Sequence, residues 1–291
     1  MAAAPKLIRP ASLDAALRAR AKGPVAVLAG GTDFFPMQMD LATGPVLDIS
    51  RLPGLGEIAD QGDHWRIGAA LTWAGLAKAE LPPAFDGLKS AGAEIGSVQI
   101  QNSATLVGNI CNASPAADGV PALLVLEAEI EVASTARTRL VPLEAFISGV
   151  RKIALAPDEL VTAIVIPKAA SIGHSVFQKI GSRRYLVISI ASVAVRLVLK
   201  DSGEIQVVRI AVGSCSPVAC RLRDLEEALI GHHISQARDI IRAGDFTPLS
   251  PISDLRATAS YRLEVAREIW SRAGFMCEGR RRSWLSARSL R

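Results

Sequence analysis

Short apolar runs and one helical repeat organise the first fifty residues of the chain. In Ser12–Ala21 leucines and alanines recur on one helical face, and Ser12 is placed to cap the first turn. Val25–Ala29 is a continuous apolar run that predicts a buried strand, and two glycines follow it. Val46–Ile49 predicts a second strand. The opening therefore predicts a compact α/β unit of strand, glycine turn, short helix and strand.

The middle of the chain alternates strand and helix patterns. Thr72 is placed to cap a helix, and Pro82 with Pro83 ends it. The polar stretch Gln99–Asn112 has no helical period and predicts a loop. The strands predicted here are His64–Ala69, Ile130–Ala133 and Leu160–Ile166, and the helices are Trp73–Ala79, Ala84–Ala93 and Pro121–Leu126.

A stretch of small residues at Pro167–Gly173 predicts a domain boundary. Beyond it, β-branched runs and a turn signal at Asp201–Glu204 predict an antiparallel sheet with helices, an α+β arrangement. The predicted strands are Val176–Lys179, Ile188–Leu199 and Ile205–Val212, and the predicted helices are Leu222–Ile230, Ser235–Ala243 and the amphipathic Tyr261–Ala273.

Composition narrows the class of protein. The chain has 291 residues, 49% hydrophobic and 21% charged, which suits two domains with a sizeable core. Much of the net charge of +5 lies in Gly279–Arg291, so the rest of the chain makes no case for a nucleic-acid binder. No apolar segment indicates a secretory signal, and the run Tyr185–Val195 is too short to span a bilayer. We expect a soluble, cytoplasmic protein.

The cysteines and histidines predict no metal on this chain. Cys111, Cys215, Cys220 and Cys277 form no CxxC pair, which excludes a zinc ribbon or a ferredoxin-type cluster, and we expect buried or half-buried thiols. The adjacent histidines at 232 and 233 have no third ligand nearby in the sequence.

The segment Val25–Pro36, VAVLAGGTDFFP, is the first candidate site. A strand delivers two glycines, then Thr32 and Asp33, then a short helix-like stretch. Glycines allow close approach of a ligand to the backbone, and free N–H groups at such a turn suit a diphosphate. The segment lacks the G-x-G-x-x-G and Walker patterns. From this segment alone, an ordinary strand-to-helix turn is an equally good interpretation.

The segment Gly96–Pro121, GSVQIQNSATLVGNICNASPAADGVP, is the second candidate. It is rich in Asn, Ser, Thr and Gly, so it offers neutral donors and main-chain amides to phosphate or ribityl oxygens. The candidate side chains are Thr105, Asn109, Asn112 and Ser114. Its Asp118 is an acceptor suited to ligand hydroxyls. A long polar loop beside an apolar core favours a bound ligand.

Together these segments resemble a known family. LAGGTDFFP and TLVGNICNASPAADGVPALL are similar to the two FAD-binding stretches of the medium subunits of molybdenum hydroxylases, a group that includes aerobic carbon monoxide dehydrogenase and the FAD domain of xanthine dehydrogenase. The likeness covers almost the whole chain. Four further stretches resemble the family in the same order: DELVTAIVIP, KIGSRRYLVISIASVAV, RIAVGSCSPVACRLRDLEEALIG and SPISDLRATASYR.

The resemblance implies an α+β fold: a two-lobed FAD-binding domain of the vanillyl-alcohol-oxidase type, followed by a small domain of antiparallel sheet and helices. The implied domains are residues 1–170, with lobes of about 1–55 and 56–170, then residues 171–277 and a basic tail at 278–291. The implied FAD-binding residues are Ala29, Gly30, Gly31, Thr32, Asp33, Ile95, Thr105, Gly108, Asn109, Ser114, Asp118, Val161 and Lys179.

The resemblance also implies an electron-transfer role. Electrons from a substrate hydroxylated at a molybdopterin-type molybdenum cofactor on a large subunit would pass through two [2Fe-2S] clusters on a small iron–sulfur subunit. FAD on this chain would deliver them to NAD, oxygen or a carrier, in a complex expected to be a dimer of heterotrimers. Two alternatives stay open: a stand-alone flavin oxidoreductase of the same fold, and a scaffold subunit that has lost FAD.

Two positions depart from the pattern of the family, N-x-G-T-x-G-G-N. Ala104 and Val107 stand where glycines are usual. Since a β-branched residue does not easily take a positive φ, we predict that Val107 has an extended backbone and a side chain turned away from the diphosphate.

Overall fold

A computed structural model of the chain describes residues 6–37 and 44–269. The predicted basic tail, Cys277 and the last four residues of the helix predicted at Tyr261–Ala273 lie outside these ranges. Within them, no helix is both long and apolar enough to cross a membrane.

The strands of the described residues are numbered in chain order. They are β1 (Leu7–Ile8), β2 (Ala26–Leu28), β3 (Val46–Asp48), β4 (Ile58–Asp60), β5 (His64–Gly68), β6 (Glu129–Ala133), β7 (Thr138–Pro142), β8 (Ile147–Gly149), β9 (Lys152–Ile153), β10 (Leu160–Pro167), β11 (His174–Ile180), β12 (Ala191–Leu199), β13 (Ile205–Gly213) and β14 (Cys220–Arg221).

The α-helices are numbered in the same way, and three short 3-10 turns accompany them. The helices are α1 (Leu13–Ala21), α2 (Phe34–Met37), α3 (Trp73–Lys78), α4 (Asp86–Ala93), α5 (Val98–Ser103), α6 (Leu106–Asn112), α7 (Gly119–Leu124), α8 (Leu143–Phe146), α9 (Arg223–Leu229), α10 (Ala237–Ala243) and α11 (259–269); the 3-10 turns are Pro83–Phe85, Lys168–Ser171 and Ile234–Gln236.

The chain divides into two compact units, each assembled from separate segments. The first unit comprises residues 1–79, 96–113 and 128–168. It contains a parallel sheet in the order β1-β3-β2, an antiparallel sheet in the order β4-β5-β10-β6-β7, and the hairpin β8-β9. The long central strand β10 is buried along almost its whole length, and α6 packs against it.

The second unit comprises residues 80–95, 114–127 and 169–291. Its antiparallel sheet has the order β11-β12-β13-β14, and α4, α7 and α9 pack against it. A core of valines, leucines and isoleucines from β12, β13 and α9 to α11 stabilises it. The predicted α+β architecture is confirmed, while the predicted domain and lobe boundaries stay a prediction.

Most predicted elements are present, with ends shifted by up to three residues, and the predictions for two segments were wrong. The predicted loop Gln99–Asn112 forms the two helices α5 and α6, capped by Ser97 and Thr105. Because no residue of α5 is buried, the sequence of this helix shows no apolar face from which a helical period could be recognised. The predicted buried strand at Val25–Ala29 is half-buried as β2.

Val107 lies inside α6, so the extended backbone predicted for it is wrong. The φ angle of Val107 is not positive, as the sequence predicted. Its side chain is 5% exposed. Helical geometry places a valine there without steric strain, which removes the reason to suspect that Val107 damages the neighbouring turn.

Val107→Gly is expected to lower the free energy of unfolding by about 2–3 kcal/mol, from a lost apolar contact surface and a glycine inside a helix. FAD affinity is expected to stay nearly unchanged. Urea unfolding and FAD titration of the purified variant measure the two effects. A tenfold or greater gain in FAD affinity would show instead that the valine obstructs the site.

Candidate functional site

The glycine turn begins where β2 ends. Gly31 has a φ of +76°, a conformation that favours glycine, and its carbonyl accepts the N–H of Phe35 at 3.1 Å to start α2. Within the described residues, the main-chain N–H groups of Gly31 and Thr32 have no acceptor. Two neighbouring free N–H groups at a tight turn suit an anionic ligand such as a diphosphate.

Gly30 brings the two polar stretches of the sequence together. A Cβ atom at this position would lie 2.1 Å from the carbonyl oxygen of Ser103 and 2.9 Å from the Cα of Ala104. Only a residue without a side chain allows this backbone-to-backbone approach. The structure therefore places the glycine turn directly against the junction between α5 and α6.

The junction itself is held by main-chain pairing with the start of α3. Trp73 N–H donates to Ala104 O at 3.1 Å, and Leu106 N–H donates to Leu71 O at 3.2 Å. Thr105, which is 3% exposed, accepts the N–H of Gly108 at 2.9 Å through its hydroxyl and so caps α6. Thr105 and Gly108, both predicted site residues, thus fix the first turn of this helix.

Asn109 lies in the same helix and carries an unsatisfied group. Its Oδ1 is buried and accepts no hydrogen bond from any described residue. A buried acceptor without a donor costs about 1–3 kcal/mol, so each such case calls for an explanation. A ligand that brings a hydroxyl or N–H donor would satisfy it, and the ribityl chain and rings of FAD carry such donors.

The last residue of the turn is tied to the far end of α6. Asp33 Oδ2 accepts the side-chain amide N–H of Asn112 at 3.1 Å. The amide oxygen of Asn112 accepts a hydrogen bond from the Arg151 guanidinium, and so does its main-chain carbonyl, at 3.0 Å. The sequence predicted Asn112 as a residue able to bind phosphate or ribityl oxygens, whereas Arg151 was not among the predicted site residues.

The second unit contains a buried ion pair made of two predicted residues. Lys179 Nζ lies 2.8 Å from Asp118 Oδ2, and both side chains are under 10% exposed. The ammonium group also donates to the carbonyls of Glu94 and Val187, at 3.2 and 3.3 Å. Ser189 Oγ donates to Asp118 Oδ1 at 2.5 Å.

The carboxyl group of Asp118 titrates in an unusual environment. Burial raises its pKa, and the charge of Lys179 with the hydrogen bonds from Lys179 and Ser189 opposes that rise. Ser189 was missed by the sequence reasoning, although it lies in one of the stretches that resemble the family. Its place in the strand-like run 188–199 gave no sign that its hydroxyl meets Asp118.

The remaining predicted residues have less distinctive surroundings. Ala29 and Ile95 are half-buried. Ser114 Oγ accepts the N–H of Ala116 at 3.3 Å in a local turn. Val161 is buried in β10 opposite Val132, which is an ordinary core position. Ile95 and Ser114 belong to the second unit, whereas Ala29 and Val161 belong to the first.

No group of three or more His, Cys, Asp or Glu side chains in the described ranges is placed to hold a metal ion. Cys111, Cys215 and Cys220 are free thiols. Burial raises the pKa of Cys111 to about 12, so this thiol is not a reactive thiolate. His233 accepts the N–H of Ser235 at 3.2 Å and caps a 3-10 turn.

Two family models match the chain in succession. The FAD binding domain in molybdopterin dehydrogenase matches residues 3–169, and the CO dehydrogenase flavoprotein C-terminal domain matches residues 177–274. The chain belongs to the FAD-binding subunits of molybdopterin dehydrogenases. The family resemblance drawn from the sequence is therefore confirmed, and so is FAD as the cofactor of this kind of subunit.

Relatives of the FAD-binding subunit align along most of its length. A nicotine 6-hydroxylase medium subunit of Paenarthrobacter nicotinovorans is 32% identical over 248 residues, 84% of this chain and 86% of that protein. A xanthine dehydrogenase FAD-binding subunit of Escherichia coli O157:H7 is 30% identical over 267 residues, 88% of this chain and 90% of that protein. These relatives are flavoprotein subunits of oxidoreductases.

Solved structures agree with the fold of the FAD-binding subunit. A chain of the Cu,Mo-CO dehydrogenase in its cyanide-inactivated form has a TM-score of 0.84 at 23% identity, covering 96% of this chain and 99% of that one. A chain of quinoline 2-oxidoreductase from Pseudomonas putida 86 has a TM-score of 0.85 at 22% identity, with the same coverage. At these identities the likeness establishes the fold alone.

Proposed function

We propose that this chain is the electron-transfer subunit of a molybdenum hydroxylase complex. It would work beside a small iron–sulfur subunit with two [2Fe-2S] clusters and a large subunit with a molybdopterin-type cofactor, in a cytoplasmic dimer of heterotrimers. The names of the relatives, a medium subunit and an FAD-binding subunit, support a multi-subunit assembly. When bound, FAD supplies a redox group that links iron–sulfur donors to an external electron acceptor.

The main support for FAD binding by this chain is the buried Oδ1 of Asn109, which has no hydrogen-bond partner among the described residues. It lies four residues after Thr105, on the helix whose start meets the glycine turn at Gly30. We assign the diphosphate to the free N–H groups of Gly31 and Thr32, and a cofactor hydroxyl or N–H to Asn109. The chain's own residues would then bind and orient the cofactor, and the assignment of every predicted site residue to FAD stays a prediction.

The visible spectrum and subunit content of the natively purified complex test the proposal. A yellow protein with flavin absorbance, copurifying with an iron–sulfur and a molybdenum subunit, is the expected result. Acid precipitation should release FAD into the supernatant. A yellow chain that purifies alone and reduces its flavin with a small substrate would favour a stand-alone flavin oxidoreductase, and a colourless chain within the complex would favour a scaffold.

Asn109→Leu is expected to weaken FAD binding by about tenfold while leaving the FAD-free chain equally stable or more stable. The reason is that leucine has a similar volume and removes an acceptor that lacks a donor without cofactor. FAD titration and thermal melting of the FAD-free chain measure both effects. The matched control is Asn102→Leu, because Asn102 is exposed on α5 and its side-chain amide forms no hydrogen bond with another described residue. Full FAD affinity in Asn109→Leu would contradict the assignment.

A further inference from the structure

Two residues with left-handed backbone meet beside the glycine turn. Ala113, at the end of α6, has a φ of +46°, and Arg151, between β8 and β9, has a φ of +57°. The N–H of Arg151 donates to the carbonyl of Ala113 at 2.9 Å. Left-handed backbone is strained for residues that carry a side chain, and such strain persists only where the surroundings hold it. The hairpin β8-β9 is thereby attached to the end of α6.

The Arg151 guanidinium continues this attachment toward the turn. It donates to both oxygens of Asn112, and Asn112 donates its amide N–H to Asp33. Arginine has only donors and an ionised carboxylate has only acceptors. The amide of Asn112 therefore satisfies both neighbours in one orientation only, with its oxygen toward Arg151 and its nitrogen toward Asp33.

The glycine turn is consequently held at both of its ends by the same stretch of chain. At its start, Gly30 lies against Ser103 O with no room for a side chain. At its end, Asp33 is bound by Asn112, which Arg151 holds in position. The two N–H groups assigned to the diphosphate, those of Gly31 and Thr32, lie between these two anchors. The directions in which these two N–H groups point therefore depend on both the Gly30–Ser103 contact and the Asp33–Asn112 hydrogen bond.

We propose that Arg151 is a positioning residue for FAD binding, which acts on the turn through Asn112 and Asp33. The proposal rests on the proposed function, since it concerns the same cofactor. Among the residues that the structure describes, Arg151 reaches the residues assigned to the cofactor only through its hydrogen bonds to Asn112. Loss of its guanidinium frees the Asn112 amide to rotate, and Asp33 then loses a fixed donor.

Arg151→Gly separates this role from a structural one. Glycine accepts the positive φ without strain and keeps the N–H that binds Ala113 O, so the hairpin should be retained. FAD affinity is expected to fall about tenfold, which corresponds to the loss of one charged hydrogen bond. The melting temperature of the FAD-free chain should change little, because relief of the strained φ offsets the flexibility that glycine adds to the unfolded chain. Arg151→Lys keeps a donor for Asn112 and should restore affinity to within about twofold of the original chain.

Asn112→Asp tests the residue that connects Arg151 to Asp33. It replaces the donor that faces Asp33 by an acceptor, so two carboxylates meet, and FAD affinity should fall about as much as in Arg151→Gly. The double variant should be no weaker than the worse single variant, because both changes disrupt one connection. The control is Lys152→Gln, which removes one positive charge from the adjacent exposed residue of the same hairpin.

The experiment titrates FAD into the full-length, FAD-free chain and follows flavin fluorescence, with melting temperatures measured alongside. Loss of affinity in Arg151→Gly and Asn112→Asp, but not in Lys152→Gln or Arg151→Lys, is the expected result. Unchanged affinity in Arg151→Gly, an equal loss in Lys152→Gln, or a markedly lowered melting temperature in Arg151→Gly would overturn the proposal. An original chain that takes up no FAD would contradict the proposed function instead.

Discussion

Gly30→Ala is expected to abolish FAD retention and to destabilise the first unit. The added Cβ would lie 2.1 Å from Ser103 O and 2.8 Å from Ser103 C, and both are backbone atoms that cannot rotate away. The turn and the α5–α6 junction would have to separate, which costs about 1–3 kcal/mol or more for overpacking. The N–H groups of Gly31 and Thr32 would move with the turn. FAD content after purification and urea unfolding measure the two losses.

Gly56→Ala is the matched control for this variant. Gly56 lies in the same unit, has no left-handed backbone, and has no atom within 4 Å of the position that its Cβ would occupy. It should therefore keep both FAD content and stability, with a small gain from a less flexible unfolded chain. A Gly30→Ala chain that retains its full FAD content would show that the close approach to Ser103 is unimportant for the cofactor.

Helices with a local signal could be predicted from the sequence alone. Ser12 accepts the N–H of Ala15, and Thr72 accepts the N–H of Gly75, as their positions before α1 and α3 predicted. A cap acts on residues that lie three positions away, so the sequence contains all of the information. The same is true of the hairpin at Asp201–Glu204, which joins β12 to β13.

The edge strands β4 and β7 could not be predicted in this way. The strand β7 lies at one edge of its sheet and buries only Val141, and β4 lies at the other edge. One buried residue gives no alternating pattern, and these strands exist because β6 and β5 offer them hydrogen-bonding partners. Helix α5 escaped prediction for a related reason, since none of its residues is buried.

In the candidate site, too, local features could be predicted from the sequence and contacts between distant residues could not. The glycine turn is marked by its own composition, and the polar stretch after residue 96 is marked by its lack of charge. The contacts that orient these groups come from distant residues. Arg151 is 39 positions from Asn112, and Ser189 is 71 positions from Asp118. Nothing in the spacing of single residues predicts such pairs, because the fold of the whole unit brings them together.

The buried pair Lys179–Asp118 leads to the last expectation. Lys179→Met keeps the length of the apolar side chain but removes the ammonium group, which leaves a buried carboxylate without its cation. Loss of one partner of a buried ion pair costs about 3–5 kcal/mol, and Ser189 alone supplies only one hydrogen bond in compensation. Urea unfolding of the FAD-free chain near neutral pH should show a loss of this size.

The loss should depend on pH with a definite sign. Burial already raises the pKa of Asp118, and removal of Lys179 takes away the largest opposing contribution, so the folded pKa of the variant lies above the unfolded value. Stability contributed by such a group is present below the unfolded pKa, about 4, and is lost as pH rises through the folded pKa. The variant should therefore be closest to the original chain at acid pH and fall progressively below it toward neutral pH.

Two companion variants identify charge as the cause of this dependence. Adding Asp118→Asn to Lys179→Met removes the carboxylate while keeping an acceptor for Ser189, so most of the stability and the original pH profile should return. Lys152→Met removes an exposed lysine and should change little. If Lys179→Met were equally destabilised at acid and neutral pH, the ammonium group would matter through its hydrogen bonds to Glu94 O and Val187 O rather than through the charge of Asp118.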